Sequence, residues 1–98
     1  MWQWDPIKAE ANLRKHKLSF ETATLAFSDP LAQSETDPYE TEVRWRTYGM
    51  IANQLIVVVH TEPIFDGGGR LVRSGRIISA RKATRSERRS YEDAANGR

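Results

Sequence analysis

Gln54-Leu55-Ile56-Val57-Val58-Val59-His60-Thr61 holds the longest apolar run of the chain, Leu55 to Val59. A run without polar interruption leaves no face for water. It therefore predicts a strand buried on both sides, central in its sheet. It is also far too short to span a bilayer. Just before it, Val43 to Tyr48 alternates with period two, so Val43 and Trp45 point one way and Arg44, Arg46 and Tyr48 the other. Further back, Leu31 to Thr36 reads as a short strand, separated by Asp37-Pro38 and an acidic loop. On the other side, Ile64 to Gly75 carries Gly67-Gly68-Gly69 and Ser74-Gly75 and reads as a long, flexible hairpin loop. It leads into a last strand, Arg76 to Arg81. Four strands in this order make an antiparallel meander.

Helices flank the meander. Asp5-Pro6 is a start signal: the aspartate accepts from free N–H groups, and proline at the first helical position loses a donor that had no partner. That helix should reach about His16, with Ile7, Ala11 and Leu13 inward and Lys8, Arg14 and Lys15 outward. Ser19 caps a second helix whose Phe20, Ala23 and Phe27 form an apolar stripe, and Asp29-Pro30 stops it. Thr84-Arg85-Ser86-Glu87 matches a capping box and opens a final helix to about Ala95. Ahead of Asp5 there is room for a short strand. The expectation is one α+β domain over residues 1–98, with two N-terminal helices, an antiparallel β-sheet meander and a C-terminal helix.

Composition narrows the function. With no cysteine among 98 residues, disulfides, thiolate metal sites and a thiol nucleophile are excluded. No basic and apolar leader opens the chain, and the expectation is a soluble, cytoplasmic protein. The net charge of +2 hides a segregation. From Leu18 to Glu42 stand Glu21, Asp29, Glu35, Asp37, Glu40 and Glu42 with no lysine or arginine. From Arg70 to Arg98, nine basic residues face only Glu87, Glu92 and Asp93. Such a basic segment suits a polyanion, or else a solvated helix face.

Several chemistries find no support. Gly67-Gly68-Gly69-Arg70 leads into a strand and lacks the Gly-Lys-Ser/Thr of a phosphate loop. His16 and His60, the only histidines, have no acidic cluster spaced to join them, so neither metal nor cofactor is expected. No serine sits in a nucleophile elbow. Period two places His60 and Glu62 on one face, where imidazole and carboxylate can divide base and acid roles; the alternative is a packed histidine and a solvated glutamate. A hairpin brings Arg76 near that end, and Arg44 and Arg46 lie on the same sheet. Arginine holds phosphate with a planar fork. Tyr48 or Tyr91 can stack on an unpaired base, though Tyr91, the main apolar residue of its helix, suits the core better.

Trp4-Asp5-Pro6, Asn12-Leu13-Arg14-Lys15-His16, Ser19-Phe20-Glu21-Thr22-Ala23, Asp29-Pro30, Arg46 with Gly49, Val57 to Glu62, Ile77-Ile78-Ser79-Ala80-Arg81-Lys82-Ala83, Glu87-Arg88 and Tyr91 occur in that order. Together they resemble the BrnT toxin family. The resemblance implies a RelE-like fold, a ribonuclease that arrests translation, and a BrnA-type antitoxin partner that supplies DNA binding. It directs attention to Lys15, His16, His60, Glu62, Arg76, Arg81 and Lys82. On this reading His60, Glu62, Arg76 and Arg81 are catalytic, while Lys15, Arg44, Arg46, Tyr48, Lys82 and Arg85 hold RNA. The expected reaction is metal-free attack by the RNA's own 2′-hydroxyl, with His60 and Glu62 as base and acid. The rival is a non-catalytic component that binds nucleic acid or antitoxin within an autorepressing complex. Two features depart from the family pattern: Lys17 stands where it has glycine, and the loop from Pro63 to Gly75 is longer.

Overall fold

The structure, a computed structural model, describes residues 2–39 and 41–97. Glu40 and Arg98, both counted in the charged segments above, lie outside them. In chain order the elements are β1 (Trp2–Gln3), α1 (Pro6–His16), α2 (Phe20–Ala23), a 3₁₀ turn (Thr24–Ser28), β2 (Gln33–Asp37), β3 (Arg44–Ile51), β4 (Gln54–His60), β5 (Ile64–Phe65), β6 (Leu71–Arg73), β7 (Gly75–Lys82) and α3 (Arg85–Ala95).

The caps form as their residue types require. The Asp5 carboxylate accepts from the Ile7 N–H at 2.9 Å, and Ser19 Oγ accepts from the Thr22 N–H at 3.1 Å. At Thr84 the capping box is complete: its hydroxyl accepts from the Glu87 N–H while Glu87 accepts from the Thr84 N–H. Helix α1 ends at Lys17 in the left-handed conformation, φ 57°, with its N–H on the Leu13 carbonyl. Glycine takes that conformation freely, so a lysine there costs about 1 kcal/mol.

The sheet runs β1-β7-β4-β3-β2, with β1 parallel to β7 and every other pair antiparallel. Strand β4 is central, and Leu55, Ile56, Val57 and Val58 are all buried, as an uninterrupted apolar run demands. Ile56 and Val58 face α2 and the 3₁₀ turn, forming the main core with Phe20, Ala23, Ala26, Ile77 and Ala80. The second N-terminal helix is therefore a four-residue α-helix continued as 3₁₀, which carries Phe27 onto Trp2 with ring centroids 4.3 Å apart.

Helix α1 turns differently from expectation. Ile7 is 78% exposed and Leu13 48% exposed, and Ala11 is also exposed. The inward residue is Asn12. Its amide donates to the carbonyls of Ala80 (2.9 Å) and Leu18 (3.0 Å), and its oxygen accepts from the Ala80 N–H (3.1 Å). Strand β1 pairs with β7 only at Gly75 and Arg76, so this side chain satisfies the edge of β7 farther along. Three backbone partners, two of them buried, outweigh the apolar pull of Ile7 and Leu13 on the helix rotation.

The segment after β4 is also more ordered than a flexible loop. Strands β5 and β6 pair as a hairpin whose turn is gathered on Asp66 Oδ1, which accepts from the N–H groups of Gly68 and Arg70. Helix α3 is fastened by Tyr91, whose hydroxyl donates to Asp29 Oδ2 at 2.6 Å, and by Gln33, whose amide donates to the Tyr91 carbonyl. Asp29 also accepts from the N–H groups of Met50 and Leu31. Burial pushes its pKa up, but these three bonds more than offset that and hold it below the usual range.

A candidate nucleic-acid interface

Registry decides what can meet. Tyr48 pairs with Val57 and Val57 with Arg81, while Arg46 pairs with Val59 and Val59 with Ser79. Arg44 stands one position before Trp45, the partner of His60, and Arg76 is bonded through its backbone to Thr61. Partners across a ladder share a face. Arg44, Arg46, Tyr48, Arg76 and Arg81 therefore occupy the face opposite α1 and α2. They fall in three rows, each about 7 Å from the next along the strands. Five of the ten expected site residues are gathered here.

Each of these groups meets a carboxylate. Arg81 makes a bidentate pair with Glu87 at 2.7 and 3.0 Å. That fork pulls the Glu87 pKa down to about 2, against the opposing effect of burial. Arg46 lies 3.2 Å from Glu35 and 3.3 Å from Asp37, yet its buried Nε is aligned with no acceptor among the described residues. The Tyr48 hydroxyl donates to Glu35 at 2.8 Å. Burial and that carboxylate raise its pKa to about 12, so Tyr48 stays a donor at neutral pH. Glu42 accepts from both Arg44 and Arg76, and the Arg44 guanidinium lies 3.5 Å above the Tyr39 ring. Glu35, Asp37 and Glu42 belong to the acidic segment. These three carboxylates pair with Arg44, Arg46 and Arg76, a role that sequence reading missed. The opposite signs of the two charged segments point only to the Glu42–Arg76 pair.

Two clefts border this face. One, about 290 Å³, lies between the sheet and α3 and is lined by Gln33, Ser34, Glu35, Tyr48, Ser86, Glu87, Ser90 and Tyr91. The other, about 540 Å³, includes Glu42, Trp45, Thr61, Glu62, Arg73 and Arg76 in its wall. Glu62 is exposed and shares this second cleft with Arg76.

His60 is not with them. It is only 3% exposed, on the helix-covered face with Ile56 and Val58. Its ring meets Trp2 and Phe27 edge-on at 5.2 and 4.9 Å. Its Nε2 bonds Thr47 Oγ1 at 2.6 Å and its Nδ1 the Thr61 carbonyl at 2.9 Å. The expectation that His60 and Glu62 share a face is corrected: β4 ends at His60, so period two does not extend to Glu62. Both ring nitrogens are engaged and the ring is enclosed, so His60 cannot reach a substrate on the arginine face. Lys15 is exposed on α1, and Lys82, in register with Ile56, belongs to the helix-side face. His16 is half-buried at the end of α1, and Arg85 is exposed at the start of α3.

Burial lowers the His60 pKa from 6.5, against smaller raising effects of the Thr61 carbonyl and Glu62. As pH falls through 6.5, the unfolded chain binds a proton that the folded form refuses. Its contribution is therefore whole above that pH and declines until the folded-state pKa is passed. For one proton the slope is at most about 1.4 kcal/mol per pH unit. Urea unfolding of wild type and His60→Gln from about pH 7.5 to 5 should give a stability difference that shrinks with acid. A constant difference would show that His60 does not titrate with folding.

Among the described residues, no helix is long and apolar enough to cross a membrane. No group of three or more histidine, aspartate or glutamate side chains is placed to hold a metal ion among those residues. No curated protein matches the chain. The profile of a family described as the ribonuclease toxin BrnT of type II toxin–antitoxin systems matches residues 4–87. That span takes in the whole arginine face, from Arg44 to Arg81, together with Glu87. The chain belongs to the BrnT family of ribonuclease toxins of type II toxin–antitoxin systems.

Proposed function

We propose that this chain is a metal-independent endoribonuclease, with a RelE-like fold, that cleaves RNA through attack by its 2′-hydroxyl and thereby inhibits translation in the cytoplasm. A BrnA-type antitoxin would neutralise it and carry the complex to DNA. The observation that carries the reading is the alignment of Arg44, Arg46, Tyr48, Arg76 and Arg81 on one sheet face, in a chain of a ribonuclease family. Guanidinium groups fixed on strands stabilise the charge that develops on a phosphorane-like transition state without having to reorganise.

In this mechanism Glu62 is the base. It shares the 540 Å³ cleft with Arg76, and its carboxylate accepts the 2′-hydroxyl proton. The 2′-oxygen bonds to phosphorus as the bond to the 5′-oxygen breaks. Arg76 neutralises the phosphoryl oxygens, Arg46 and Arg81 in the two further rows hold neighbouring phosphates of the strand, and water in the open cleft supplies the proton that the leaving oxygen takes. The products are a 2′,3′-cyclic phosphate and a 5′-hydroxyl. Tyr48 binds rather than transfers protons, since its pKa near 12 keeps the phenol intact.

The test is cleavage of a labelled single-stranded RNA in the presence of a chelator, with the ends read by mass spectrometry. Arg76→Ala should lower the rate on the order of 100-fold while leaving the fold intact. Cleavage that stops on chelation, or a 5′-phosphate product, would end the metal-free proposal. Equal rates for wild type and Arg76→Ala would move the site elsewhere.

A further inference from the structure

Among the described residues, Glu42 is the one carboxylate shared by two guanidinium groups from different strands. Its Oε1 accepts from Arg44 Nε at 2.9 Å and from Arg76 Nη2 at 2.6 Å. Arg44 belongs to β3 and Arg76 to β7, with β4 between them. Two cations directed at one point repel each other unless an anion occupies it. Glu42 itself lies on the connection between β2 and β3, outside both strands. It can therefore leave without breaking a ladder bond, whereas the arginines' backbones are fixed.

Resting on the reading of this face as an RNA groove, we propose that Arg44 and Arg76 form a subsite for one RNA phosphodiester, and that the Glu42 carboxylate is its resting occupant. Carboxylate and phosphodiester are both monoanions, so exchanging one for the other between the two guanidinium groups leaves the net charge of the subsite unchanged. Carboxylate and phosphate oxygens satisfy the same planar fork, so either can sit between these arginines. Tyr39 stacks on Arg44 and holds it in place while the anion exchanges. The adjoining cleft of about 540 Å³, with Thr61, Glu62 and Arg73 in its wall, gives a nucleotide room beside the phosphate. A purely structural ion pair does not account for Arg76, because pairs as exposed as Arg76 and Glu42, at 43% and 30%, add little to folding, whereas Arg44, at 16%, is the more buried arginine of the two.

The experiment measures fluorescence anisotropy of a labelled single-stranded DNA oligonucleotide, which has no 2′-hydroxyl to cleave, at fixed salt. Glu42→Gln keeps size and removes charge. It should tighten binding on the order of tenfold, and the gain should vanish when Arg44→Ala and Arg76→Ala are added. Glu10→Gln, an acid on α1 paired with Arg14, should change affinity less than about twofold, the expected size of a general charge effect. Circular dichroism confirms that each variant is folded. If Glu42→Gln binds no more tightly than wild type, or tightens equally without the two arginines, the subsite is overturned. Lost RNA cleavage with unchanged DNA binding would place Glu42 in the chemistry and also overturn it. Tighter DNA binding by variants that never cleave RNA would uphold the subsite and sink the nuclease reading alone.

Discussion

Replacing Gly49 by alanine should cost about 3 kcal/mol of stability or more. A Cβ on Gly49 would lie 2.1 Å from the Ala26 carbonyl oxygen and 2.8 Å from its carbon. Both are backbone atoms, so no side chain can rotate away. Gly49 is locked in register with Ile56, and Ala26 is fully buried in the 3₁₀ turn. Relief requires either lifting that turn off Phe20 and Ala23 or bending β3 out of its ladder. A domain of this size holds only about 5–15 kcal/mol in all, so a visible fraction of the population should unfold on mild heating. Urea unfolding followed by tryptophan fluorescence measures the loss. Gly68→Ala is the control, because its Cβ would meet only the Asp66 carboxylate, at 3.4 Å. A Gly49→Ala loss as small as that of the control would mean that sheet and turn are not in hard contact.

Asn12→Ala should cost a similar amount, about 3 kcal/mol, because it leaves two buried backbone groups and one partly buried carbonyl without this partner. The amide group now satisfies the N–H and carbonyl of Ala80 and the carbonyl of Leu18. Asn12→Leu separates bonding from packing. It restores volume but not the bonds, and should remain destabilised by at least about 2 kcal/mol. Native-state hydrogen exchange localises the effect: the Ala80 amide should lose protection before amides of β3. If leucine restores wild-type stability, the bonds count for little and the site is a matter of volume alone.

These two positions also mark where sequence reasoning stopped. The caps at Asp5, Ser19 and Thr84 were legible because each is a local bond between near neighbours. The central place of β4 was legible because an unbroken apolar run admits no other position. The arginine face could be read as far as Arg44, Arg46 and Tyr48, whose alternation is local. The rotation of α1 could not, because Asn12 finds its partners 68 residues away at Ala80. A period counted on hydrophobicity sets a polar residue outside. The placing of His60 with Glu62 fails because alternation does not run past the end of the strand. Counted backward, His60 stands on the same side as Val58 and Ile56, among the core residues. The carboxylate partners of the arginines were equally out of reach, since charge sums give sign and not registry.

The Asn12 clasp has a consequence beyond stability. One outer rim of the five-stranded sheet is closed, first by β1 and then by a side-chain amide that copies a strand's donor and acceptor. The opposite rim is β2, Gln33-Ser34-Glu35-Thr36-Asp37, all polar. Pairing of this sheet with a copy of itself would therefore use β2, where copies of Glu35 and Asp37 meet. Charged rims of this kind discourage edge-to-edge growth into aggregates. A foreign segment that adds a strand to this sheet would have to bring basic side chains with it.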